Sequence, residues 1–167
     1  MHNALSDQKQ LCEICNNPET GINIRTKKVL RLSLDHCHKT LKIRDLLCRK
    51  CNQSLGSLQD SKELIEKMIK YLQRCMQFPT GIKYNNKNKI AYFHDNSHAR
   101  KQKCEICDNS ETQISRWGTP SRLSVDHCHK TNMIRGLLCH RCNRVLGGMR
   151  DSIPYLQSMI NYLEKHK

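Results

Sequence analysis

Residues 35–52 read DHCHKTLKIRDLLCRKCN, and residues 126–143 read DHCHKTNMIRGLLCHRCN. In each stretch an Asp-His-Cys-His cluster precedes a CxxC pair by about a dozen residues, and an asparagine follows the last cysteine directly. Metal ligands and proton-transfer groups thus occur together twice, which predicts two equivalent chemical sites in one chain. Upstream of each copy lies another CxxC, Cys12-Glu13-Ile14-Cys15 and Cys104-Glu105-Ile106-Cys107. The two copies are offset by 92 residues at this knuckle and by 91 from the Asp-His pair onward, so one residue was gained or lost in the basic loop between them.

The cysteines set the class of the protein. The 167-residue chain divides into two repeats, each of about 75 residues, near the size below which an apolar core alone rarely stabilises a fold and a metal or disulfide staple is common. Eleven cysteines supply the staple. No apolar run approaches the roughly 20 residues that span a bilayer, and the start MHNALSDQKQ lacks the apolar region of a secretory signal. An intracellular, reducing compartment is expected, where CxxC pairs are metal ligands rather than disulfide halves. Two thiols of a CxxC knuckle reach one point without strain, and zinc takes four such ligands in a tetrahedron. Cys12, Cys15, Cys48 and Cys51 are expected to hold one structural Zn2+, and Cys104, Cys107, Cys139 and Cys142 a second.

Hydropathy patterning places these groups on a simple scaffold. Leu32-Ser33-Leu34 and Leu123-Ser124-Val125 alternate apolar and polar before each Asp-His pair, the mark of a short half-buried strand. After a turn, Ile43 with Leu46-Leu47, and Ile134 with Leu137-Leu138, read as the return strand of a hairpin. Cys48 to Leu58 then reads as a helix. Asp60-Ser61 and Asp151-Ser152 are N-cap signals for a following helix, with apolar stripes Leu64, Ile65, Met68, Ile69, Leu72 and Tyr155, Leu156, Met159, Ile160, Leu163. The expected fold is α+β: two tandem zinc-stapled ββα-metal units, each followed by a helix. Residues 1–75 form the first unit, 76–100 a basic Lys/Asn-rich linker and 101–167 the second unit.

Once zinc is assigned, Asp35, His36, His38 and Asn52 remain, with Asp126, His127, His129 and Asn143 as their counterparts. A carboxylate and an amide oxygen are hard ligands suited to Mg2+, which keeps several waters and is completed by phosphate oxygens. A neutral imidazole beside such an ion accepts a proton from water near physiological pH. The alternative is that Asp-His-Cys-His binds another zinc or satisfies core hydrogen bonds. The balance of 29 Lys+Arg against 15 Asp+Glu, a formal +14, falls to about +10 once two four-thiolate zinc sites are counted. A polyanionic partner is expected.

These motifs resemble those of the recombination endonuclease VII family, within the His-Me finger (HNH-like, ββα-metal) superfamily. The resemblance rests on CxxC, LSLDHCHKT, and IRDLLCRKCNQSLG or IRGLLCHRCNRVLG in order, and covers about 45 residues of each unit. It implies Mg2+-dependent DNA cleavage, with Mn2+ as a substitute and one ion per site. Asp35 and Asn52 would ligate that ion, His36 would be the general base and His38 a supporting residue; Asp126, Asn143, His127 and His129 would take the same roles in the second unit. Asp45 departs from the glycine usual after the Ile-Arg step, which Gly136 keeps, so the first site is expected to differ in backbone or activity. Cys37 and Cys128 carry no assigned role, and Cys75 is read as a buried helix residue.

Family members resembling this motif act as dimers, whereas this chain carries two copies. The expectation is a monomeric pseudo-dimer, not membrane-bound, whose two sites cut the two strands of a pseudo-symmetric duplex, as in a homing or restriction endonuclease. A resolvase of Holliday junctions and other branched DNA is the alternative. A non-catalytic, zinc-dependent nucleic-acid-binding module and a protein-interaction module using the C-terminal helices are rivals of other classes.

Overall fold

A computed structural model describes residues 10–97, 103–111, 113–119 and 121–166. Most of the expected N-terminal arm and the end of the expected linker, 98–100, lie outside these residues. The first unit consists of β1 (Ser33–His36), β2 (Ile43–Leu47), α1 (Arg49–Leu58) and α2 (Lys62–Gln77). An additional helix α3 (Asn86–Ser97) precedes the second unit, formed by β3 (Ser124–His127), β4 (Ile134–Leu138), α4 (His140–Gly148) and α5 (Ile153–Lys165). The α+β architecture of two zinc-stapled ββα units, each followed by a helix, is therefore present.

Each hairpin is an antiparallel pair, with Ser33 opposite Leu47 in one and Ser124 opposite Leu138 in the other. Both carry a bulge beside the Asp-His pair, between Leu34 and His36 and between Asp126 and His127. An extra residue on one strand re-aims side chains there. Two-stranded sheets of this size are marginal alone, so each leans on its helices. Leu47, Leu55, Leu58, Ile65 and Met68 are fully buried in the first unit, and Leu137, Leu138, Leu146, Leu156 and Met159 in the second.

The thiols join hairpin, knuckle and helix. Cys12, Cys15, Cys48 and Cys51 bring their sulfurs within 4.8 Å of one another, as do Cys104, Cys107, Cys139 and Cys142. The Cys15–Cys48 and Cys107–Cys139 sulfur separations are 3.8 and 3.7 Å. A tetrahedron with Zn–S bonds of about 2.3 Å has edges of about 3.8 Å, so both clusters fit structural zinc. Cys48 and Cys139 are the N-caps of α1 and α4 but make no side-chain cap bond. Glutamates from the preceding loops replace them: Glu19 accepts from the Arg49 N–H and Glu111 from the His140 N–H, each at 2.6 Å. A carboxylate there also complements the helix dipole.

Two cap expectations divide. Ser61 and Ser152 do cap α2 and α5, accepting from the Leu64 and Tyr155 N–H groups. Asp60 and Asp151 do not. They take left-handed backbone angles (φ of 55° and 53°) immediately after Gln59 and Arg150, which are also left-handed, and this turn aims their carboxylates back at the hairpin histidines.

The units face each other across two helix pairs, α2 on α5 and α1 on α4. Lys62 and Glu164 form an ion pair across the first of these. Residues 80–84 lie against the second hairpin: Thr80 donates to the Ile134 carbonyl (2.6 Å), the Ile134 N–H to the Ile82 carbonyl (2.8 Å) and the Tyr84 N–H to the Asn132 carbonyl (2.8 Å). Helix α3 continues this wall, with Tyr92 and Phe93 packed on the core. The Lys and Asn residues over 76–100 point to a linker, either solvated or contacting a polyanion through its lysines, and give no sign of this helix.

Cys48→Ser or Cys139→Ser should each reduce the bound zinc from two ions per chain to one and lower the melting temperature. Elemental analysis with a thermal melt checks this; two zincs retained by either variant would exclude the four-cysteine assignment.

Candidate functional site

The strand β1 ends in Asp35 and His36, and β3 in Asp126 and His127, with the aspartates turned inward where each strand carries its bulge; in β1 the preceding Leu34 is exposed instead. The two aspartates are 1 % and 3 % exposed respectively. A buried carboxylate needs donors and a counter-charge, which the return strand supplies. Arg135 forks onto Asp126, with Nε to Oδ2 at 2.7 Å and an Nη to Oδ1 at 2.8 Å, and reaches Asp151 Oδ1 at 3.0 Å. Arg44 reaches Asp35 Oδ2 at 3.2 Å and Asp60 Oδ2 at 3.0 Å. The ring nitrogens of His38 and His129 meet Asp60 (3.0 Å) and Asp151 (2.7 Å). His36 and His38 stack loosely with ring centroids 5.1 Å apart, as do His127 and His129.

The fourth partner comes from the opposite unit. The Tyr162 hydroxyl, on α5, donates to Asp35 Oδ2 at 2.8 Å, and the Tyr71 hydroxyl, on α2, donates to Asp126 Oδ2 at 2.8 Å. Arg44 and Arg135, Asp60 and Asp151, and Tyr71 and Tyr162 were not among the expected site residues. Their signal was present: each pair recurs at the same 91-residue offset as the Asp-His motif. The reading of Asp-His-Cys-His as another zinc site finds no support, since among the described residues the clustered metal-ligand groups are the two four-cysteine sets. Core hydrogen bonding does engage the aspartates, but not all of their capacity. Among the described residues Asp35 Oδ1 is buried without a hydrogen-bond partner and Asp126 Oδ1 accepts from Arg135, where each carboxylate oxygen has two acceptor sites.

In the second unit Asp126, His127, His129 and Asn143 line one cavity of about 700 Å3, with Arg122 and Arg144 beside them and Tyr84, Lys89, Phe93 and His94 on the α3 side. The Tyr84 ring stacks on His127, centroids 4.0 Å apart. Asn52 holds the equivalent place in the first turn of α1. Burial, and then the neighbouring His129, hold the His127 imidazole below its ordinary pKa of 6.5, which keeps it neutral over a wider pH range.

The units differ most around Asp45 and Gly136. A Cβ on Gly136 would lie 2.7 Å from the Glu105 carboxyl carbon, and Glu105 is committed there, accepting from the Leu137 N–H (2.9 Å) and from Arg74 (2.7 Å). In the first unit the corresponding Glu13 has moved outward, and Lys165 bridges it (2.7 Å) to Asp45 (2.9 Å). Lys165, aided by His166, draws the Asp45 carboxyl below its usual pKa. The substitution thus changes the outer edge of the hairpin, and Asp126 pairs with Gly136 in a register that Asp35 and Asp45 do not share.

The remaining cysteines also have places. Cys37 and Cys128 open the hairpin turns, donating N–H to Lys42 and Met133, and hydrogen bonding from Thr40 draws the Cys37 thiol down to about 7. Cys75 is half-buried rather than buried, and that burial pushes its thiol up.

The profile of the recombination endonuclease VII family matches residues 2–74 and again 80–165. The chain belongs to the recombination endonuclease VII family. Two phage proteins are similar over one unit's length: the gene 59 protein of Mycobacterium phage D29, 48% identical over 64 residues (38% of this chain, 35% of that protein), and that of Mycobacterium phage L5, 45% identical over 62 residues (36% and 34%). The match spans about a third of the length of each relative. No solved structure matches. The family relation covers both units, so the tandem arrangement is a repeat of the family's own module.

His127 should titrate below 6.5 in an NMR pH titration, and Tyr84→Ala should move it upward toward that value. Because the unfolded chain takes up this proton more readily, stability should fall as pH drops below about 6.5, less so in Tyr84→Ala. An unchanged midpoint in the variant would remove Tyr84 as a cause of the burial.

Proposed function

We propose that the protein is a Mg2+-dependent DNA endonuclease with two active sites, one in each unit, each hydrolysing one strand. The observation that carries this reading is the second-unit cavity, in which a buried aspartate, a neutral histidine and an asparagine share one space beside a zinc cluster with all four positions taken. Family membership makes DNA the substrate, and the chain's net charge of +14 suits it.

The donor set fits the metal. Asp35 Oδ1 and the free acceptor site of Asp126 Oδ1, with the amide oxygens of Asn52 and Asn143, are hard oxygen ligands that would hold Mg2+. Once bound, the ion would stabilise negative charge on the phosphate and the leaving oxygen. The protein's own contribution is proton transfer and positioning. His36 and His127 take a proton from the attacking water. That water oxygen bonds to phosphorus while the bond to the 3′ oxygen breaks, and the departing 3′ oxygen takes a proton from solvent, leaving a 5′-phosphate and a 3′-hydroxyl. His38 and His129, tethered to Asp60 and Asp151, orient the site beside the aspartates. Arg44 and Arg135 fix the aspartates.

One site lies in each half of the repeated chain, which suits coordinated cutting of both strands of a pseudo-symmetric duplex by a monomer. A second reading, resolution of branched DNA, is favoured by the family's description as a recombination endonuclease. Incubation with Mg2+ or EDTA, on long duplex and on a four-way junction with all ends mapped, separates them: cuts at one duplex sequence support the first and cuts confined to the junction the second. Metal-insensitive binding without cleavage would return a non-catalytic module to first place.

His36→Ala or His127→Ala alone should slow linearisation of cleaved DNA about 100-fold while leaving single-strand nicking, read on supercoiled plasmid by gel; full linearisation by either variant would exclude two one-strand sites. Trp117, the only tryptophan in the chain, is 76 % exposed with the Arg116 guanidinium 4.5 Å from its ring. Its fluorescence should be quenched by DNA in a salt-dependent way, and unchanged emission at saturating DNA would place this loop off the binding surface.

A further inference from the structure

We propose that the two sites are composite: the Tyr71 hydroxyl of the first unit positions the aspartate of the second site, and the Tyr162 hydroxyl of the second unit positions the aspartate of the first. This inference rests on the assignment of Asp35 and Asp126 to the active sites. It adds that neither unit carries a complete site of its own.

The geometry is reciprocal. Each aspartate is almost wholly buried, so its oxygens have no water to orient them and their direction is set by the donors that reach them. One donor, Arg44 or Arg135, belongs to the same hairpin. The other crosses the interface: Tyr162 to Asp35 and Tyr71 to Asp126, both at 2.8 Å and both to Oδ2. Acceptance at Oδ2 leaves acceptor capacity on Oδ1, which on Asp35 is buried without a partner among the described residues and on Asp126 accepts from Arg135.

The tyrosines are themselves held. The Asp45 N–H donates to the Tyr162 oxygen at 3.2 Å. Arg74 lies 5.1 Å from the centre of the Tyr71 ring and pairs with Glu105 of the second unit. Burial raises the pKa of both hydroxyls, keeping them protonated donors. Helices α2 and α5 therefore do more than close the apolar interface: each carries a hydrogen-bond donor into the other unit's site. Cutting by one site would be sensitive to the seating of the other half, a means of linking two strand cleavages in one chain.

The test uses the full-length chain with one site disabled at a time. In His36→Ala only the second site cuts, and in His127→Ala only the first. Tyr71→Phe should slow plasmid nicking by roughly 10- to 100-fold in the His36→Ala background and leave it within about twofold in the His127→Ala background; Tyr162→Phe should do the reverse. Binding to DNA and the content of two zincs should be unchanged, and titration calorimetry with Mn2+ should show weakened binding at one of two sites. Lys62→Ala, which removes the Lys62–Glu164 ion pair from the same interface without touching either tyrosine, should leave both backgrounds unchanged.

Equal slowing in both backgrounds, dependence of each site on its own unit's tyrosine, or no effect of either tyrosine would overturn the composite arrangement while leaving the site assignment intact. Nicking by the double variant His36→Ala/His127→Ala would overturn the site assignment and the composite arrangement with it. If a phenylalanine variant melts below the assay temperature, the Mn2+ titration at low temperature decides the same question: two unchanged sites overturn the proposal.

Discussion

Four thiols converging on one point determine where each hairpin meets its helix. A two-stranded sheet and a ten-residue helix bury too little apolar surface to hold each other, and the sulfur cluster replaces what a larger core would contribute. The last two ligands lie at the start of α1 or α4, so closing the tetrahedron drives that helix start against the hairpin. The asparagine after the final cysteine is thereby carried toward the strand that ends in Asp-His. In this small module the staple and the candidate site are built by the same step, which is why both clusters are closed four-cysteine sets with no position left for substrate.

Burying Asp35 and Asp126 then imposes a second demand. A buried carboxylate is tolerated only when paired and hydrogen-bonded, and here an arginine on the return strand, shared with an aspartate in a left-handed turn, and a tyrosine from the opposite unit supply the donors. The first unit meets the demand less completely: among the described residues Asp35 Oδ1, Arg44 Nε and Asp60 Oδ1 are buried without partners, whereas Arg135 forks onto Asp126. The second unit also has α3 and Tyr84 as a wall to its cavity. Two copies of one module have thus become unequal, through Asp45 at one hairpin edge and through residues 80–97 beside the other.

Much of this was legible before any coordinates. Both hairpins, α1 and α4, the serine caps and the two sets of zinc ligands follow from short-range signals: alternation at period two, CxxC spacing, and a Ser placed before an amphipathic run. The site was half legible. Aspartate, histidines and asparagine stand in contiguous motifs, but Arg44, Asp60, Tyr71 and Tyr84 act across turns or across the interface, where nothing local distinguishes them from surface residues. Asp before Ser is a common cap signal, but the left-handed Gln59-Asp60 pair gives the Asp60 carboxylate another direction. Helix α3 was hidden in a polar composition whose few aromatic residues do the packing.

The sequence by itself determined the module: its repeat, its metal chemistry, its order of strand, strand and helix, and its family. These depend on ligand type and spacing over a few residues, and the backbone leaves few ways to satisfy them. The tertiary structure alone decided how the two modules use each other. Which helix packs on which unit, and therefore which tyrosine reaches which aspartate, depends on burying two apolar stripes in one interface and on pairing the buried carboxylates, constraints between residues that the chain separates by 55 and 127 positions.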